Sequence, residues 1–140
     1  MSYRITGTGS CIPDIAKKNS DFLKNKFLDT DGGKFQSSNS EIIDKFNSIT
    51  GICERRYAPD EINCSDLAAV AAGLAINDSK LDQETLDYII VAHNTGDISC
   101  SSGQVDTLPS VASKVKAKLK IKNPNCCLLY TSPSPRDQRG

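Results

Sequence analysis

Ser65-Asp66-Leu67-Ala68-Ala69-Val70-Ala71-Ala72-Gly73-Leu74-Ala75-Ile76-Asn77, followed after a polar stretch by Tyr88-Ile89-Ile90-Val91-Ala92, decides the architecture of this chain. Ser65-Asp66 is a helix-opening pair, because short polar side chains accept from the unpaired amides of a first turn. The body that follows has little side-chain bulk. Such a helix is expected to pack close against a sheet or another helix, buried on most of its faces. Tyr88–Ala92 is continuously apolar and rich in β-branched residues, the pattern of a strand covered on both sides. Helix followed by covered strand is the grammar of an α/β fold. Ligands of such sheets gather beyond the strand C-termini, which here points to the loop after Ala92.

Toward the C-terminus, residues 93–107 read as a loop rich in Ser, Gly, Asp and Thr. Pro109 opens a further helix, with Val111, Val115 and Leu119 facing inward and Lys114, Lys116, Lys118 and Lys120 outward. Its late lysines suit the negative end of a helix. Asn123-Pro124-Asn125 is a turn, and Cys126 is expected to begin the next strand.

Toward the N-terminus, Tyr3 to Ser10 alternates apolar and polar residues and reads as a first strand running into a turn at Pro13-Asp14. Gly7-Thr8-Gly9 lacks the third glycine of a dinucleotide fingerprint, whose place is taken by Ile12, and Pro13-Asp14 opposes a helix start there. These glycines therefore mark close backbone approach. Residues 19–27 read as a short helix, followed by a polar loop through Gly32-Gly33. Ser38 and Glu41 have the spacing of a capping box. The helix they open carries Ile42, Ile43, Phe46 and Ile49 on one face and stops at Gly51; residues 52–58 then form a short strand.

The 140 residues suffice for one ordinary domain, and with 38% hydrophobic residues and no Trp its core is modest. Lys and Arg number 17, as do Asp and Glu, so the charge balance gives no reason to expect nucleic acid or an anionic membrane as partner. No apolar run approaches the roughly 20 residues of a membrane-spanning helix. Met1–Gly7 has no basic-then-apolar leader pattern. The six cysteines form no Cys-x-x-Cys pair, and His93 is the single histidine, so neither zinc nor any other metal or cofactor is expected. Scattered cysteines suit a reducing cytoplasm, without a disulfide framework.

Taken in order and spacing, several segments resemble the start of the β-ketoacyl-acyl-carrier-protein synthase III enzymes of the thiolase-like condensing superfamily. They are Ile5-Thr6-Gly7-Thr8-Gly9-Ser10 with Pro13, Thr50-Gly51-Ile52 with Glu54-Arg55-Arg56, and Ser65-Asp66-Leu67-Ala68 with its Ala-rich helix. Tyr88–Ala92 and Pro109-Ser110 complete the set. The likeness implies a layered α-β-α-β-α fold of two similar halves, with residues 1–126 forming most of the first half. It also implies a cytoplasmic homodimer that moves an acyl group from acyl-coenzyme A onto a cysteine. Decarboxylating condensation with malonyl-acyl carrier protein follows, as in fatty acid biosynthesis. In the family a His and an Asn of the second half stabilise the developing charge, and the cysteine sits at the N-terminus of a buried helix.

The residues depart from that pattern at several points. The nucleophile is expected roughly ten residues after the strand near Cys126, at a helix start that Pro133 and Pro135 oppose. No catalytic residue is therefore assigned. Cys126 and Cys127 have no base nearby and no helix start after them, and His93 reads as a hydrogen-bonded structural residue. A Trp and an Arg that grip the coenzyme A adenine in family members are replaced by Lys45 and Ile49, which leaves the primer carrier open. The loop from His93 to Leu108 is longer than the compact family form. By resemblance it offers Asn94, Thr95 and Leu108 as candidates to line the acyl tunnel, with a purely structural loop role as the competing explanation.

Residues 127–140 do not fit the fold before them. Cys127-Leu128-Leu129-Tyr130-Thr131-Ser132-Pro133-Ser134-Pro135-Arg136-Asp137 matches the translation of a widely used sequencing-library adapter. We expect a non-native tail on the front piece of a longer, catalytically competent parent. The piece itself is expected to be inactive and poorly soluble, because a half-sheet leaves apolar surface exposed. Two rival readings remain: a small non-catalytic α/β binding module, and another condensing enzyme, such as a pathway-specific ketosynthase or a hydroxymethylglutaryl-coenzyme A synthase relative.

Overall fold

The computed structural model describes residues 3–99 and 102–131. One compact unit is Pro13–Pro59; the other joins the described residues of Met1–Ile12 to those of Asp60–Gly140.

In the first unit, β1 (Ile15–Lys18) pairs antiparallel with β2 (Glu54–Tyr57), Ile15 opposite Tyr57. Helix α1 (Asn39–Thr50) starts at the expected capping box: the Ser38 amide donates to Glu41 at 2.8 Å, and the Glu41 amide donates back to Ser38 Oγ at 3.3 Å. It ends at Gly51, whose φ of 66° is left-handed and whose amide returns to the Asn47 carbonyl at 2.8 Å. Ile42 and Ile43 are buried, and Phe46 meets Phe27 edge-on, with ring centroids 5.8 Å apart. Ile49 is 81% exposed, against expectation. It lies on the same helical face, but the contacts that cover α1 are made by Asn39, which donates to the Leu23 and Asn25 carbonyls, and by Phe46 against Phe27. The single 3-10 turn at Asn19–Phe22 is all that forms of the helix expected over residues 19–27.

In the second unit, α2 (Cys64–Ser79) opens where Ser65-Asp66 predicts, with the Asn63 amide donating to Asp66 Oδ2 at 2.9 Å. Residues 3–12 form no strand. Their main chain lies on α2 instead: a Cβ built on Gly7 would sit 2.6 Å from the Ser79 nitrogen, and one on Gly9 would sit 2.5 Å from the Ala75 nitrogen. The Thr8 amide donates to Asp78 Oδ2 at 2.9 Å. The close approach expected of these glycines is present, made to a helix rather than within a sheet.

β3 (Tyr88–Ala92) pairs in parallel with β6 (Cys127–Thr131), from Tyr88 opposite Cys127 to Ala92 opposite Thr131. β6 begins one residue after the expected Cys126. It falls in the segment read above as a foreign tail. A ladder is made of main-chain groups, so the pairing carries no information about where those residues originate. The rest of that segment, 132–140, lies outside the described residues. The strand entrances are fastened by Glu84, which accepts from the Asn123 amide at 2.7 Å, and by Asn123 Nδ2, which donates to the Glu84 carbonyl at 2.9 Å.

Helix α3 (Val111–Lys118) covers one face of this pair. Val111 and Val115 join Ala69 of α2 in the core, with Ile89, Val91 and Leu119 packed around them. The other sheet face is bare: Tyr88 is 60% exposed and Ile90 63%. Both-sided burial of this strand is thus corrected to one side, because no described element packs over Tyr88 and Ile90. The small-sided helix α2 is likewise buried on fewer faces than expected, with Val70 and Leu74 about half exposed. No helix among the described residues is long and apolar enough to cross a membrane.

Candidate functional site

The loop after Ala92 is built around one carboxylate. Residues 97–98 and 105–106 pair antiparallel as β4 (Asp97–Ile98) and β5 (Val105–Asp106), a small hairpin inside the expected loop. Asp97 is buried, and its Oδ1 accepts from the Ser65 amide at 2.8 Å, satisfying one of the open donors at the start of α2. Its Oδ2 takes Lys114 Nζ at 3.0 Å, and the same ammonium reaches Asp106 Oδ2 at 2.7 Å. Burial pushes the Asp97 carboxyl up, yet the hydrogen bonds from Ser65 and the Lys114 charge outweigh it and hold the group below the usual carboxylate range. The Asp106 hydrogen bond raises the Lys114 ammonium, opposed by burial and aided by Asp97.

Lys114 was expected to face outward; its side chain is 13% exposed and turned into this carboxylate pair. Two neighbours are also engaged. Lys116 donates to the Asn123 carbonyl at 2.6 Å, and Lys118 meets Asp66 at 2.5 Å.

This node supports one wall of a cleft of about 290 Å³ at the C-terminal end of β3. Its lining includes His93, Thr95, Val105, Leu108, Ser110 and Val111. Ser110 caps α3, accepting from the Ser113 amide at 3.3 Å, and so fixes the helix start at the cleft floor. Gly96 has a left-handed φ of 74°, and a Cβ there would lie 3.5 Å from His93 Cε1. His93 Nδ1 is buried with no hydrogen-bond partner among the described residues, so the partner expected for a structural histidine is not present there.

Of the three candidates offered for the tunnel, Thr95 and Leu108 line this cleft, while Asn94 is exposed and outside its lining. Lys45 and Ile49 are exposed on α1. Cys126 and Cys127 stand at the entrance end of β6, roughly 13 Å of strand from the end where the cleft opens, and among the described residues the lining includes no cysteine. Cys64 lies closer in sequence space to the node, but burial and then the Asp97 charge raise its thiol, which disfavours a thiolate. Cys100 lies outside the described residues. Among the described residues no cluster could hold a metal ion. Sequence reasoning missed Asp97 and Asp106 altogether; nothing but their place in a Gly-rich loop before a lysine-bearing helix marked them.

No protein-family profile matches the chain. It is 39% identical over 125 residues to the β-ketoacyl-acyl-carrier-protein synthase III of Clostridium acetobutylicum, covering 89% of this chain and 32% of that protein. It is 34% identical over 122 residues to a synthase III of Vibrio cholerae, covering 87% and 32%. In three dimensions it matches the 3-oxoacyl-acyl-carrier-protein synthase III of Aquifex aeolicus with a TM-score of 0.64 at 28% identity, over 93% of this chain and 35% of that one. The chain therefore spans about a third of the length of these relatives.

Proposed function

From the premise that this is a ketoacyl-acyl-carrier-protein synthase III-like chain with the thiolase-like fold, matched over a third of its relatives' length, we propose that its parent is a decarboxylating condensing enzyme. The parent would join an acyl group, taken from acyl-coenzyme A onto a cysteine, to malonyl-acyl carrier protein, as a cytoplasmic homodimer. The observation that carries this reading is the cleft beyond β3, with Thr95 and Leu108 in its wall and α3 at its floor. It opens beyond the C-terminal end of β3, the place at which α/β sheets bind ligands. In the parent, a native strand after Cys126 running parallel to β3 and on into a helix would bring that helix's N-terminus, and a cysteine on it, to the same end of the sheet.

On this reading the 140-residue chain does not condense, since no cysteine lines the cleft among the described residues and the charge-stabilising His and Asn belong to the second half. Residues 127–140 are read as foreign to the parent, on the strength of the adapter match. The test begins by amplifying and sequencing the source locus. An intact gene should continue past residue 126 into a different sequence with a cysteine at a helix start. Its product should condense acyl-coenzyme A with malonyl-acyl carrier protein and lose that activity on Cys→Ala replacement there. A natural gene carrying this same tail to a stop after Gly140 would overturn the reading, as would acyl-enzyme formation by the 140-residue chain itself.

A further inference from the structure

Within Pro13–Pro59, a second cavity of about 280 Å³ is lined by α1, β2 and residues 19–27. Its lining is mostly apolar, Phe22, Phe27, Ile43, Phe46 and Tyr57, with Asn19 and Asn25 as its neutral polar members. Phe27 and Phe46 hold each other edge-on at an interplanar angle of 74°, leaving ring faces and edges to the cavity. An enclosed apolar cavity of roughly 150 Å³ accepts one benzene ring; this pocket is half open to solvent, and its volume suits one or two rings with one edge left in water.

One charge sits in that wall. Arg55 is half-buried, its guanidinium 5.4 Å from the centroid of the Phe22 ring, and its Nη1 donates to Asn19 Oδ1 at 2.6 Å. Both contacts orient the cation without neutralising it. The neighbouring Arg56 takes Glu54 as its ion-pair partner at 3.0 Å, whereas no carboxylate pairs with Arg55 among the described residues. A guanidinium partly withdrawn from water against an aromatic ring gains from meeting an anion. Its planar fork is suited to a carboxylate, and two of the walls are suited to ring stacking.

We propose that this cavity is a binding site for small planar aromatic carboxylates of one or two rings, with the carboxylate on Arg55 and the ring among Phe22, Phe27 and Phe46. The site shares no lining residue with the cleft beyond β3 and does not depend on the condensing activity. Neutral and aliphatic analogues lack one half of the recognition each.

The test uses the whole chain, ¹⁵N-labelled, titrated with 2-naphthoate and followed by amide shifts. Saturable shifts are expected at Phe22, Phe46 and Arg55, with little change around Leu108. Neutral 2-naphthamide and aliphatic cyclohexanecarboxylate should each bind at least ten-fold more weakly, a comparison that needs no variant. Arg55→Met should weaken 2-naphthoate at least ten-fold, and Arg55→Lys should fall between, since lysine keeps the charge but not the fork. Retained amide dispersion in each variant shows that it is folded. Absence of saturable shifts in the unaltered chain would overturn the proposal. So would equal affinity for the amide, for the aliphatic acid, or for folded Arg55→Met.

Discussion

Replacing Asp97 by Ala removes the one group that ties the start of α2, the β4–β5 hairpin and α3 together. The bonds lost include the one from the Ser65 amide at 2.8 Å, the one with the Ser65 side chain, and the one from Lys114 at 3.0 Å. Ser65 is 2% exposed, so its amide cannot turn to water instead. A hydrogen bond to a charged group contributes about 1.5–3 kcal/mol, and breaking a buried pair one-sidedly costs about 3–5 kcal/mol. Lys114 retains Asp106, which softens the second cost, and we expect a loss of about 2–4 kcal/mol for the variant. Asp97→Asn keeps an acceptor for Ser65 and should lose less. The assay is native-state hydrogen exchange at the Ser65 amide, where about 1.4 kcal/mol is a ten-fold change in rate. Exchange should accelerate by more than ten-fold in Asp97→Ala. The carboxyl is held below its unfolded value, so its contribution is present above pH about 4 and is lost only as pH falls through the lower folded value. Protection of Ser65 should therefore persist at pH 4 and collapse below it. Unchanged exchange in Asp97→Ala, or loss of protection already at pH 5 to 6, would refute the node as described.

Gly9→Ala should cost about 1–3 kcal/mol, because its Cβ would meet the α2 backbone; urea-induced loss of far-ultraviolet ellipticity measures it. Ile43→Ala should destabilise the first unit by about 2–4 kcal/mol, whereas Ile49→Ala, at a position 81% exposed, should leave the same melting curve unmoved. On the bare sheet face, Ile90→Lys should raise the concentration at which light scattering appears without lowering stability, since that side chain is 63% exposed.

Local signals were the legible ones. The Ser38–Glu41 box, the Gly51 stop and the apolar stripe of α3 each depend on residues within one turn, and each is where the sequence placed it. The strand at Tyr88–Ala92 and the position of the cleft beyond it were legible too, since strand pattern and strand direction suffice for both. What failed needed partners far along the chain. Lys114 looked like a solvated lysine until Asp97 and Asp106 were brought beside it by a hairpin that no periodicity announced. Residues 3–10 alternate like a strand, yet their glycines let the main chain settle on α2, a preference that alternation cannot express. Of the offered tunnel residues, Thr95 and Leu108 share the cleft while Asn94 does not, a distinction between neighbours in one loop that no periodicity expresses. The aromatic cavity of the first unit gathers residues 19 to 57 from four separate segments, so no local motif pointed to it.

The parallel pairing of β3 with β6 also dictates an order of events in folding. Bringing Tyr88 beside Cys127 closes a loop of roughly 40 residues, an entropic cost of about 3 kcal/mol before any ladder bond forms. The hairpin and α3 lie inside that loop, and each closes over a much shorter span. Chains that have already seated α3 against Ala69 face a shorter remaining gap. The sheet, although it is the centre of the architecture, is thus expected to be the last part of this unit to form and the first to open.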